Sequence, residues 1–212
     1  MLAFCSVGEG INQVARTVFA TRRAYDFLCL DIAEPGLNVN VVGALPGLTT
    51  GYGPSHQATE DLAILRAMPG LTIVDPADSV DIEQGVPALA AHPGPTYLRL
   101  LRGAVPTVLN EYDYRFEPGK AAELRGGRDV LSISTGLMTV RALTAARELE
   151  ADHVDVGRRY GGGTAKPTPA ASDSHSPFNS AGAAYVHRAH LPHRHRRPAD
   201  LRHHHRDRYR LL

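Results

Sequence analysis

The chain has 212 residues, 43% of them hydrophobic, with 23 basic against 22 acidic side chains and a formal charge of +1. That length and apolar content can bury one or two cores, which excludes a wholly disordered or collagen-like polymer. The small net charge hides an asymmetry: residues 158–212 carry 11 Lys and Arg against 3 Asp, a net +8, while residues 1–157 carry 12 basic against 19 acidic, a net −7. The two cysteines, Cys5 and Cys29, form no CxxC pair, so neither a disulfide framework nor a thiolate metal site is expected and a reducing cytoplasm is the default compartment. No apolar run approaches the roughly 18 residues of a membrane span, and MLAFCSVGEG has no basic n-region, so neither export nor membrane insertion is expected.

From Leu37 onward, short β-branched or apolar runs alternate with helical patterns punctuated by Gly and Pro, which predicts an α/β fold built on a parallel sheet. LNVNVVG (Leu37 to Gly43) reads as a buried strand. A glycine-rich loop follows, and Pro54, Ser55 and His56 lead into a predicted helix, His56 to Met68, with Ala58, Leu62 and Leu65 on one face and Ser55 as N-cap. LTIV (Leu71 to Val74) and TYLRL (Thr96 to Leu100) are further strands, and between them Asp78 to His92 is a helix interrupted by Pro87. Such a loop lies at the carboxyl edge of a parallel sheet, where ligands bind. A partly exposed His56 suits proton exchange or a hydrogen bond to a sugar hydroxyl, although a histidine beside a glycine loop is also read as structural or solvent-facing.

Residues 106–128, rich in turn residues and aromatics, read as a linker with a little extended structure. A second α/β unit starts with the strand Asp129 to Thr135, the turn at Gly136, and a helix from Leu137 to Ala151 striped by Leu137, Val140, Leu143 and Leu149. His153 to Gly157 reads as its next strand. From Arg158 the pattern stops: 55 residues hold no Ile, Met or Glu but ten Arg, eight His and five Pro. This stretch reads either as a disordered basic tail or as the product of a reading-frame shift after about Gly157, since GC-rich DNA read out of frame encodes such a mixture. His193, His195 and His203 to His205 have no folded second shell in prospect, so no metal site is expected there. The arginines could meet nucleic acid phosphates, but no aromatic interleaving or nucleic-acid motif supports that reading.

The stretch GLTTGYGPSHQATEDLAILRAMPGLTIVDPAD, with RRAYDFLCLDIAEPGLNVNVVG before it and HPGPTYLRLLRGAVP after it, resembles the pyrimidine-binding domain of transketolase-like, thiamine-diphosphate-dependent enzymes. It is most similar to the separately encoded C-terminal transketolase subunit. GGRDVLSISTGLMTVRALTAARELEADHVDV resembles the start of that family's C-terminal domain. The resemblance implies a three-layer parallel sheet with flanking helices over residues 1–105, incomplete at its N-terminus, then the linker 106–128, the beginning of a C-terminal domain at 129–157, and the tail 158–212. It implies transfer of a two-carbon ketol unit between sugar phosphates, with thiamine diphosphate and Mg2+ or another divalent ion held mainly by a partner subunit carrying the diphosphate-binding domain. The active site would then form between chains, in an oligomer, and this chain alone would be inactive. Two alternatives remain: a 1-deoxyxylulose-5-phosphate synthase-like enzyme with a pyruvate donor, and a non-catalytic fragment whose basic tail binds nucleic acid or an acidic partner.

Residue by residue, the resemblance assigns substrate contact near the reacting carbons to His56 and acceptor-phosphate binding to Arg102, whose bland alternative is a solvated surface charge. Tyr52 stands where many transketolases have an acidic residue, which puts the donor sugar in question. Phe19 is the candidate ring to stack on the pyrimidine, with an ordinary core phenylalanine as its alternative. The family's ring-activating glutamate belongs to a segment well upstream of this chain's start; Glu9 imitates it in composition but not in order, and GEGINQVART reads as an insertion or scrambled sequence.

Overall fold

The computed structural model describes residues 3–7, 10–49, 51–161 and 185–188. Their first sheet contains β1 (Ala3–Val7), β2 (Gly10–Arg16), β3 (Val39–Ala44), β4 (Thr72–Val74) and β5 (Thr96–Leu100), in the order β1-β2-β3-β5-β4. β2 to β5 run parallel, and β1 pairs antiparallel with β2 at the edge. Residues 10–16 are therefore not an insertion: Ile11 pairs with Val39 and the register runs through to Arg16 beside Ala44. INQVAR does not alternate cleanly between apolar and polar residues, so the neighbouring strand rather than local pattern specifies this one.

α1 (Thr17–Ala20) leaves the carboxyl end of β2 directly, and a wide helical segment, Phe27–Ala33, completes the connection to β3. Its Glu34 N–H reaches back five residues to the Cys29 carbonyl at 2.8 Å. One core layer packs Leu28 and Ala33 of this connection, and Leu62, Leu65 and Met68, against Val39, Val41, Ile73 and Tyr97 of the sheet. Gly43 is obligatory there, because a Cβ at that position would overlap the Tyr97 hydroxyl.

The helix expected over residues 56–68 is confined to α2 (Asp61–Leu65). Residues 56–58 spend their backbone on the preceding loop instead: His56 N–H donates to the Gly53 carbonyl at 3.0 Å, and Gly47 N–H donates to the Ala58 carbonyl at 2.7 Å. Ser55 is consequently no N-cap; its hydroxyl lies 2.9 Å from His56 Nδ1. In contrast, α3 (Ser79–Ala90) continues through Pro87 rather than breaking there. Its N-cap is Asp78, which accepts from Val80 N–H at 3.0 Å through one oxygen and from Val108 and Leu109 N–H at 2.7 and 2.8 Å through the other. One carboxylate thereby satisfies orphan donors of the helix and pins the following segment to it.

The second sheet holds β6 (Ala121–Arg125), β7 (Val130–Ser134), β8 (Val156–Gly161) and β9 (Tyr185–Arg188), ordered β6-β8-β7-β9. β7 and β8 are parallel and joined by α4 (Met138–Ala151); β6 and β9 are antiparallel edges. The segment expected to be a linker with a little extended structure thus supplies a strand, β6. α4 turns Thr139, Leu143 and Ala146 inward, and Leu149, at 37% exposed, is off the expected stripe.

β8 continues four residues beyond Gly157, so Arg158 to Gly161 are sheet rather than the start of a tail. Tyr160 is fully buried among Val108, Leu109, Tyr114 and Leu143; its hydroxyl accepts from Ala77 N–H at 3.1 Å and donates to the Asp81 carboxylate. Tyr114 donates to the other Asp81 oxygen at 2.6 Å. This polar cluster ties α3 to the second sheet. The tail histidines 193, 195 and 203–205 lie outside the described residues.

Candidate functional site

Strands β2 and β3 end side by side, at Arg16 and Ala44, and the chain leaving each one turns over the carboxyl edge of the sheet. After β2 comes α1 with Phe19; after β3 comes the loop carrying Tyr52 and His56. The loop opens with Leu45 and Gly47 in the left-handed backbone region, at φ 63° and 62°, and turns again at Gly53, at φ 75°. A leucine in that region costs of order 1 kcal/mol, a local strain of the kind that accumulates at functional edges.

These turns bring three of the predicted residues together. The Phe19 and His56 ring centroids lie 5.5 Å apart and nearly perpendicular, at 89°, and the Tyr52 ring lies 5.5 Å from His56, tilted by 48°. Two guanidiniums complete the group: Arg16 sits 5.0 Å from the Tyr52 centroid and Arg23 4.6 Å from the Phe19 centroid. His56 is half-buried and Tyr52 is exposed, so the imidazole is reachable from solvent while its ring is held by neighbours on two sides.

Beneath the loop lies a charged layer that sequence reading missed. Arg99 on β5 makes a bidentate pair with Asp61, at 2.7 and 3.2 Å, and reaches Asp75 at 3.3 Å. The Tyr97 hydroxyl donates to Asp61 at 3.1 Å, and Thr135 donates to Asp75 at 3.2 Å. Burial pushes the Asp75 carboxyl up, opposed by the adjacent Arg99 guanidinium. The same burial, reinforced by the charge on Asp61, holds the Tyr97 phenol well above its ordinary value. The available signal was an arginine inside an otherwise apolar strand, TYLRL: a buried charge demands buried partners.

This layer fixes the floor of the site. A Cβ on Gly47 would meet Arg99 Nη2 at 3.6 Å, so the loop rests against the guanidinium. The Gly136 N–H donates to the Asp75 carbonyl at 3.0 Å and a side chain at Gly136, where φ is 54°, would overlap the Asp75 carboxylate. Through Asp75 the second sheet's first turn therefore abuts the first sheet. Next to it, a cavity of about 260 Å³ opens between the carboxyl ends of β4 and β5, lined by Asp78, Ser79, Ile82, Arg99 and Leu101 among others.

Arg102 does not join the cluster. Leu101 and Gly103 line the cavity, but Arg102 between them is exposed and outside its lining, and among the described residues it has no ion pair or ring contact. Glu9 lies outside the described residues. Among the described residues no group of three or more His, Cys, Asp or Glu is placed to hold a metal ion, and no helix is long and apolar enough to cross a membrane.

The chain is similar to several known proteins. Residues 14–107 match the model of the transketolase pyrimidine binding domain. An uncharacterized transketolase family protein of Sinorhizobium fredii is 69% identical over 151 residues, covering 70% of this chain and 44% of the relative. A 6-deoxy-6-sulfo-D-fructose transketolase subunit of a Clostridium species is 44% identical over 134 residues, covering 63% and 41%. A 1-deoxy-D-xylulose-5-phosphate synthase of a Synechococcus species is 34% identical over 146 residues, covering 67% and 23%. Among solved structures, a split-gene transketolase described as an inactive β4 tetramer aligns with TM-score 0.64 at 37% identity, covering 71% of this chain and 48% of that one. The chain spans less than half the length of each of these relatives.

Proposed function

The chain belongs, through residues 14–107, to the transketolase pyrimidine-binding domain family, and from that premise we propose that it is one half of a split ketol-transferring enzyme, acting with a subunit that carries the diphosphate-binding domain. The observation that carries this reading is the grouping of Phe19, Tyr52 and His56 at the carboxyl edge of β2 and β3. Ligands of parallel α/β sheets bind outside that edge.

The family depends on thiamine diphosphate. Its described counterpart residues fit that group in part: Phe19 offers a half-buried ring to an aminopyrimidine, but among the described residues no carboxylate is recorded in contact with the ring cluster. Glu60, the acid on the same loop, is held by Arg22 and Thr59, and the hydrogen bond from Arg22 is the main reason its carboxyl lies far down, at about 2. The cofactor, when bound, supplies the electron sink that stabilises a carbanion. What this chain's residues supply is position. His56, braced by Phe19, Tyr52 and the Ser55 hydroxyl, presents an imidazole able to exchange hydrogen bonds with substrate hydroxyl or carbonyl oxygens. Arg102, exposed beside the cavity, is the cation this reading keeps for a substrate phosphate entering from solvent.

A pyruvate donor, as in 1-deoxyxylulose-5-phosphate synthesis, is the second reading. Identity favours the first, since the transketolase subunit relative stands at 44% and the synthase at 34%. The test is donor preference in the complex reconstituted with a diphosphate-binding transketolase subunit. A ketose phosphate should serve as donor and pyruvate should not, with His56→Gln raising KM for the donor; pyruvate turnover would select the second reading.

A further inference from the structure

On the second sheet, away from the His56 loop, Arg158 lies on the same side of β8 as the buried Tyr160 two residues on, and is itself 3% exposed. Its Nε and Nη2 have no hydrogen-bond partner among the described residues. In a guanidinium these two nitrogens direct their N–H bonds side by side from one edge, the edge that grips both oxygens of a single oxyanion. Arg99 shows that edge in use, with Nε and Nη2 on the two oxygens of Asp61 at 2.7 and 3.2 Å.

The acids around Arg158 are committed elsewhere. Glu150 gives both oxygens to Arg125, Glu111 pairs with Arg147, and Asp155 faces Arg128 at 3.9 Å. Arg125 is the neighbour of Arg158 across β6, and Arg125, Arg147 and Glu150 all act on it electrostatically. Three guanidiniums therefore share two carboxylates. Arginine keeps its proton in proteins, so one buried positive charge stays uncompensated, on the group whose paired donors have no partner among the described residues. A small oxyanion would supply both the charge and the two acceptors.

We propose that the Nε and Nη2 edge of Arg158, flanked by Arg125 and Arg147, is a binding site for a small oxyanion, phosphate or carboxylate, whose occupancy stabilises the second sheet. Glu150 is exposed, so the ion enters where the Arg125 and Glu150 pair meets solvent, without opening the core around Tyr160.

The experiment unfolds the full chain with urea in sodium chloride, acetate or phosphate at equal ionic strength, beside Arg158→Leu, Arg158→Lys and the exposed Arg128→Leu. For an ion bound only by the folded chain, each tenfold rise above its dissociation constant raises the folding equilibrium constant about tenfold. Phosphate also stabilises proteins by exclusion from their surfaces; that effect is common to all four proteins and cancels between them. The expected result is a rise for the parent and Arg128→Leu in at least one oxyanion, absent in Arg158→Leu and largely lost in Arg158→Lys, which keeps the charge but not the paired donors. Response to acetate alone assigns the site to carboxylates, to phosphate alone to phosphates, and to both to their shared pair of oxygens. Equal responses in the parent and Arg158→Leu, full retention in Arg158→Lys, or no response in the parent would each overturn the site. A second readout needs no variant to fold: the Arg158 Nε–H resonance, assigned through the parent's backbone by NMR, should shift and exchange more slowly as the anion is added. A resonance already protected in chloride would mean that the chain itself fills the edge, and would overturn the site as well.

Discussion

Arg158 is the residue whose replacement should improve this protein. It sits on β8, paired in register with Ser132 on β7 and Arg125 on β6, and is 3% exposed. Its Nε and Nη2 have no hydrogen-bond partner among the described residues. The nearby acids are already engaged: Glu150 takes Arg125 at 2.7 and 2.5 Å, and Glu111 takes Arg147 at 2.5 Å. Burial accordingly lowers the Arg158 pKa, and the like charges of Arg125 and Arg147 push the same way. An unsatisfied buried donor costs about 1–3 kcal/mol, more when charged. Arg158→Leu removes two such donors and retains an apolar stem in the same strand. Part of the gain is offset because the arginine methylenes already pack there, so a stabilisation of about 2–3 kcal/mol is expected. In a chain of this length that is a rise in Tm of roughly 5–10 °C. Urea denaturation followed by circular dichroism measures it, with Arg128→Leu, whose parent side chain is 93% exposed, as the control that should not move. A neutral or destabilising Arg158→Leu would refute the reasoning, because it would mean that the guanidinium has a partner.

Three further outcomes follow from the same geometry. Gly43→Ala should destabilise by about 1–3 kcal/mol, since its methyl would displace the fully buried Tyr97 ring; a thermal melt reads this directly. Tyr160→Phe should cost about 1–2 kcal/mol by stripping Asp81 of one donor and Ala77 N–H of one acceptor, and should raise the amide exchange rate of Ala77. Asp75 and Asp81 are both held above the ordinary carboxyl range by burial. Their contribution to stability is therefore fully present below the unfolded value, about 3.9, and is lost as pH rises through their folded values. Denaturation midpoints across that window should fall less steeply in Asp75→Asn than in the parent, and identical slopes would contradict the assignment.

Strands β3, β4 and β5 were legible because their apolar runs are short, β-branched and bounded by turn residues, and helix α3 because Asp78 advertises its start. β2 was not, since INQVAR owes its conformation to pairing with β3 rather than to its own pattern. The helix start at Asp61 was hidden because residues 56–58 look helical in composition yet spend their hydrogen bonds on the loop. Of the site, His56, Tyr52 and Phe19 could be singled out one by one through family motif, while their grouping and the Arg16 and Arg23 contacts depend on where two loops meet in space. Tyr160 shows the limit of composition as a guide. It follows the point where the sequence turns basic, yet it is fully buried and bonded to α3.

Reconstitution decides whether this chain is half of an enzyme. The full chain is mixed with a diphosphate-binding transketolase subunit, thiamine diphosphate and Mg2+, and ketol transfer from a ketose phosphate to an aldose phosphate is followed against each chain alone. Turnover that requires both chains and falls sharply with His56→Gln is the predicted result. Turnover by this chain alone, or a complex that forms and stays inactive with every donor, would contradict it.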